Sequence, residues 1–213
     1  MRLMPRAMIS GLPELEMPSA RVINSSLMRL ADTALEFTSA MLLVAEGESH
    51  ASRNPQDQLR SKWIFIGARV GALCLYDFFQ DTQAINNNLR FCPTIVPMVD
   101  MTAKREAQKL MQSRFPGFAD VRTAAAHPGE VNSTPQKMEA NTVAAAVVGR
   151  GFSGDGTVNI SGSILNGDYT NTLEGRVVSY SLSNASVSDL QTILGLWAQT
   201  FQPVEDGTRA LSQ

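Results

Sequence analysis

Arg122 and His127 are the residues whose types and spacing allow chemistry on a phosphate. They lie five positions apart in Phe118-Ala-Asp-Val-Arg-Thr-Ala-Ala-Ala-His127-Pro128. Phe118, Val121 and Ala125 recur at helical spacing, and Pro128 stops the helix directly after the histidine. A neutral imidazole near pH 7 can give or take a proton, and a guanidinium can hold a phosphate through paired hydrogen bonds. Together they form a minimal set for cutting a phosphodiester without a metal ion. The same pair also fits a plain structural role, with Arg122 solvated and His127 a polar cap favoured by the helix dipole. Spacing alone leaves both readings open.

The other chemistry-bearing residues exclude more than they offer. The second histidine, His50, falls in a polar stretch at 48–58 that reads as an exposed loop, with no companion ligand or triad residue. Cys74 and Cys92 lie far apart and make no CxxC pattern, which argues against a disulfide framework and a zinc site. Reduced cytoplasmic thiols are the expectation. Two histidines without a carboxylate-rich cluster do not readily furnish a metal centre, so neither metal nor cofactor is expected. The loop Gly151-Phe-Ser-Gly-Asp-Gly156 lacks the spacing and the lysine of a phosphate-binding loop and reads as a turn. A formal net charge of −2 supplies no overall basic field, so any nucleic-acid contact is local. Lys104, Arg105, Lys109 and Arg114 form one basic helix face just before Arg122, either a phosphate-attracting patch or a solvated surface.

Positioning the motif falls to a mostly helical chain. Its 213 residues, 44% hydrophobic and 18% charged, have the composition of a soluble globular protein with a sizeable core. Residues 1–18 carry three prolines and Gly11 and read as an irregular arm, without the apolar run of a signal peptide. Ser19 then caps a helix running to about residue 46 and ended by Gly47. Its stripe is Val22, Ile23, Leu27, Leu30, Ala34, Phe37, Met41 and Val44. A second helix over 59–89 has Trp63, Ile66, Val70, Leu73, Tyr76 and Phe79 as its expected apolar side. Gly67, Ala68, Gly71 and Ala72 would let a neighbouring backbone approach it closely. Arg69 and Asp77 interrupt this helix, so a membrane span is not expected. Asp100 or Thr102 starts a third helix, and Pro116-Gly117 breaks it before the short helix of Arg122.

Beyond Pro128 the pattern changes. Residues 129–136 read as a polar loop, and 138–148 are ambiguous between helix and strand. Val158, Ile160, Gly162 and Ile164 alternate with polar residues, and Asn166-Gly167 is a strong hairpin turn. Tyr169 to Leu173 returns, Glu174-Gly175 turns again, and Val178 and Tyr180 continue the alternation. A meander of this size needs helices against its buried face. Ser186 or Ser188 caps a last helix with Leu190, Ile193, Leu194, Trp197 and Phe201 inside; Pro203 ends it, leaving 204–213 as a flexible tail. The expected fold class is mainly α with a small β part. A helical bundle occupies 19–128, and a C-terminal antiparallel β-meander plus terminal helix occupies 129–203.

Two long antiparallel helices, a third broken near its end, and an Arg-x4-His motif at Arg122 and His127 resemble the HEPN superfamily (higher eukaryotes and prokaryotes nucleotide-binding domains), in its abortive-infection-like branch. The likeness covers roughly residues 19 to 128. It implies a metal-independent endoribonuclease in which His127 moves the proton of a 2′-hydroxyl or of the leaving oxygen while Arg122 neutralises charge on the phosphorus. The product would be a cyclic phosphate end. Where the family commonly has asparagine, aspartate or histidine after the arginine, this chain has Thr123, a candidate substrate contact together with Arg114 and Lys109. Positions i and i+5 lie about 140° apart on an ideal helix, so a two-fold dimer that faces one motif with the other would complete the cleft. RNA, a second copy, and an antitoxin or other partner protein are the expected partners, in a cytoplasmic toxin or phage-defence role. The alternative is a non-catalytic HEPN-like dimeric binding or scaffold module.

Overall fold

The computed structural model describes residues 4–7, 9–49, 55–144, 147–149, 152–154 and 156–211. Two long helices lead, α1 (Met17–Ser49) and α2 (Pro55–Leu89), followed by α3 (Met101–Arg114), α4 (Phe118–Ala126), α5 (Pro128–Val131) and α6 (Pro135–Ala140). Among the described residues seven short strands follow: β1 (Val143–Ala144), β2 (Val147–Gly149), β3 (Phe152–Gly154), β4 (Thr157–Val158), β5 (Ser163–Leu165), β6 (Asp168–Leu173) and β7 (Arg176–Ser181). Helix α7 (Asn184–Leu211) closes the chain. The fold is mainly α with a small antiparallel β part and a C-terminal helix, as the patterning implied. No described helix is long and apolar enough to cross a membrane.

The chain divides into two compact units, one of Met1–Leu35, Asp77–Arg114 and Ser188–Gln213, the other of Glu36–Tyr76 and Phe115–Val187. The first is helical. Ile23, Leu27 and Leu30 of α1, Phe78 and Ile85 of α2, Ala107 of α3, and Ile193, Trp197 and Phe201 of α7 are fully or almost fully buried. Asp100 caps α3, its Oδ1 accepting from the backbone N–H groups of Thr102 and Ala103 at 2.9 and 3.0 Å. The N-terminal arm is tied down: Ala7 and the Asn24 side chain exchange two hydrogen bonds of 2.9 Å. Buried Glu16 accepts from the Thr94 hydroxyl at 2.7 Å. Cys92 is also buried here, and burial, with Glu16 nearby, pushes its thiol up to about 11.

Helix α7 departs from expectation at its end. It passes through Pro203 to Leu211, so residues 204–211 are helix and not a flexible tail. Val204 and Thr208 are fully buried and extend the inner stripe by one more turn each, which holds the helix together past a residue that cannot donate. The carbonyl of Thr200, next to this interruption, accepts from the Asp100 N–H at 3.1 Å. At its other end α7 is capped by Ser183, whose hydroxyl accepts from Ser186 N–H at 3.3 Å.

In the second unit the inner face of α2 differs from the apolar stripe read in the sequence. Ile66 and Val70 are exposed and Trp63, Leu73 and Tyr76 only half-buried, whereas Ile64, Gly67, Ala68, Gly71, Ala72 and Leu75 face inward. Small residues won this face because they admit backbone contact. A Cβ on Gly67 would collide with the Ala40 carbonyl oxygen, and one on Gly71 with the Tyr180 hydroxyl. Tyr180 donates that hydroxyl to the Ala68 carbonyl, and its ring lies 6.3 Å from Phe37 and 6.0 Å from Tyr169. Helix α1 also runs past Gly47, which is buried, to Ser49, and α2 begins at Pro55 within the stretch read as a loop. His50 lies outside the described residues.

The meander forms as read, β5–β6–β7, with Asn166 and Gly167 at φ 53° and 88° and Glu174 and Gly175 at 50° and 69°. Its first strand is shorter than the alternation suggested. Thr172 and Asn171 side chains accept from the backbone of Ile160 and Gly162, taking donors that a continuous ladder would use. Val158 pairs with Val143 instead, in β4–β1, and β2 pairs with β3 within the segment read as ambiguous and as a glycine turn.

Gly67→Ala should lower stability by about 1–3 kcal/mol, because the blocking atom is backbone. Gly195→Ala, mid-helix in α7 with nothing within 4 Å of the new Cβ, should raise it by about 0.5–1 kcal/mol. Urea denaturation of the two variants checks both signs.

Candidate functional site

Helix α4 is set by what precedes it. Phe115 is buried 6.3 Å from the Phe37 ring, and Gly117 takes a left-handed φ of 70° that glycine adopts without strain. The new helix buries Val121, Ala124 and Ala125 and packs on β6 and β7. Asp120 in its first turn pairs with Arg176 of β7 at 3.4 Å. The other face carries Arg122 and Thr123.

Arg122 is half-buried, its guanidinium carbon 4.8 Å from the centroid of the Tyr76 ring. This cation–π contact fixes a long side chain that would otherwise sweep through solvent. His127 ends α4: its N–H donates to the Thr123 carbonyl at 3.2 Å, and its φ of −123° leaves the helical region. Pro128 then opens α5, so the histidine is both the last cap of one helix and the first of the next. The imidazole is 43% exposed, and its Nδ1 lies 3.4 Å from Glu130 Oε2. A carboxylate on one ring nitrogen favours a proton there and leaves the other nitrogen as the acceptor.

No hydrogen bond or ion pair links Arg122 to His127 among the described residues. Arg122 is taken by a ring, and His127 by a carboxylate. Thr123 is exposed and donates its hydroxyl to Ala119 O at 3.0 Å, within its own helix. The other two expected substrate contacts belong to the other compact unit: Arg114 pairs with Asp189 at 3.5 Å, and Lys109 lines a cavity. Among the described residues no group of three or more His, Cys, Asp or Glu side chains is placed to hold a metal ion.

Two residues of this constellation escaped the sequence reading. Glu130 had a local signal, a carboxylate one turn after the histidine across a proline. Tyr76 had none, since its meeting with Arg122 depends on the tertiary packing of α2. In comparisons with known proteins, no family model, no curated protein and no solved structure matches this chain.

The stacked pair makes a measurable expectation. Arg122→Ala and Tyr76→Leu should each cost about 0.5–1 kcal/mol from the lost contact, and together little more than either alone. Tyr76→Phe should retain it. Fully additive losses in a urea double-mutant cycle would show that ring and guanidinium do not interact.

Proposed function

We propose that the α4–α5 junction is a metal-independent phosphodiester-cleaving centre acting on RNA, of the HEPN type, in a dimer of this chain. The observation that carries the reading is the state of His127: an accessible imidazole at a helix end, oriented through Nδ1 by Glu130 and five residues from a cation. In this reading His127 Nε2 takes the proton of a ribose 2′-hydroxyl. The freed oxygen attacks the adjacent phosphorus, the bond to the 5′-oxygen breaks, and that oxygen takes a proton from water, to which His127 then passes the one it holds, giving a cyclic phosphate and a 5′-hydroxyl. Arg122 neutralises the charge that builds on the phosphoryl oxygens.

Arg122 lies against Tyr76 from within α4, whereas His127 lies past the helix end with its imidazole beside Glu130, so the cleft takes Arg122 from one copy and His127 from the other. An apolar stripe on α2, of Leu59, Ile66 and Val70, all exposed, supports self-association. RNA cutting of this kind in the cytoplasm arrests growth, which fits a toxin or phage-defence protein restrained by a partner. The stacking of Arg122 on Tyr76 favours a second reading, in which the arginine is structural and the module binds a partner without catalysis.

Incubation with single-stranded RNA in excess chelator separates the two. The chain should cut, His127→Ala should slow cutting by about a hundredfold or more, and exposed Arg21→Ala on α1 should leave it unchanged. Equal rates for the chain and His127→Ala would remove the catalytic reading and leave the binding module.

A further inference from the structure

The helical unit holds a cavity of about 340 Å³, bounded by α2, α3 and the Trp197 ring of α7. Its size is at the lower end for small-molecule sites. Arg105 and Lys109, four residues apart on α3, stand on one wall as neighbours on one helix face. Gln83, Gln108 and Gln112 add three carboxamides, each offering a donor and an acceptor. Among the described residues no carboxylate lines the space. Among the described residues neither Arg105 nor Lys109 forms an ion pair, in contrast to Arg114 on the same helix, which reaches Asp189. Lys104, adjacent in sequence, has its amine held below the usual lysine range by burial and, to a lesser extent, by Arg105.

Structural surface cations are ordinarily interspersed with carboxylates, and here two of them line a walled space with amides and an aromatic floor. We propose that this cavity is a binding site for a small aromatic phosphate monoester. The fork of Arg105 takes two phosphate oxygens, Lys109 takes the third, and the flat ring lies against half-buried Phe79 of α2 with its polar edge on the glutamines. Two cations match the double negative charge of a phosphate monoester, whereas a ligand with a single carboxylate would leave one cation uncompensated. This site is independent of the His127 centre, and it assigns to Lys109 a role apart from RNA cutting.

Isothermal titration calorimetry of the full chain with three probes tests it: naphthyl phosphate, naphthol and inorganic phosphate. Naphthyl phosphate should bind saturably at one site and at least about tenfold more tightly than either fragment. Arg105→Gln with Lys109→Gln, both exposed side chains, should weaken it by about tenfold or more, while Lys137→Gln leaves it unchanged. Equal affinity for naphthol and naphthyl phosphate, no loss in the double variant, or no saturable heat with naphthyl phosphate would each overturn the assignment.

Discussion

Where α1 crosses Gly67 of α2, no side chain separates the helices, and the Ala40 carbonyl occupies the place a Cβ would need. One helical turn on, Gly71 leaves room for Tyr180, whose hydroxyl donates to the Ala68 carbonyl. That phenol is deeply buried, and burial pushes its proton loss far above the usual tyrosine range, so it is a donor at every pH the fold survives. Tyr180 belongs to β7, and β7 with β6 is the surface on which α4 packs. Two missing side chains on α2 thereby set the seat of the sheet, and the sheet sets the helix that carries Arg122 and ends at His127. Without the close approach, Tyr180 has no acceptor and α4 has no fixed floor.

Punctuation in the sequence was legible because its chemistry is local. Asn166-Gly167 and Glu174-Gly175 make their turns through their own backbone preferences, and Pro116-Gly117 breaks the third helix through an absent donor and a positive φ. Asp100 caps the helix that begins at the next residue by the same logic. The face of α2 was not legible. Hydrophobic patterning weights Trp63, Ile66 and Val70, while glycine and alanine carry almost no signal although their smallness decides the packing. Pro203 misled for a related reason: one lost hydrogen bond was outweighed by buried Val204 and Thr208, which only the folded structure brings inward.

The same division runs through the site. The spacing of Arg122 and His127 was visible, and so was the helix end between them. What each side chain touches was not, because Tyr76 lies on a different helix and Glu130 follows a proline that interrupts the periodicity. Contact resolves ambiguous charge. Arg114 is spent on Asp189, Arg122 is shared with a ring, and Arg105 and Lys109 face a cavity without a counter-charge among the described residues. A near-neutral chain can thus hold local positive sites without a basic field around it.

The chemistry assigned to His127 leaves a signature in its products that a metal-activated water attacking the phosphorus directly would not leave. End-group analysis of a short RNA after incubation with the intact chain in chelator reads it directly. Fragments ending in a cyclic phosphate, each followed by a fragment beginning with a 5′-hydroxyl, are the expected result. Fragments beginning with a 5′-phosphate, or RNA recovered whole, would contradict it.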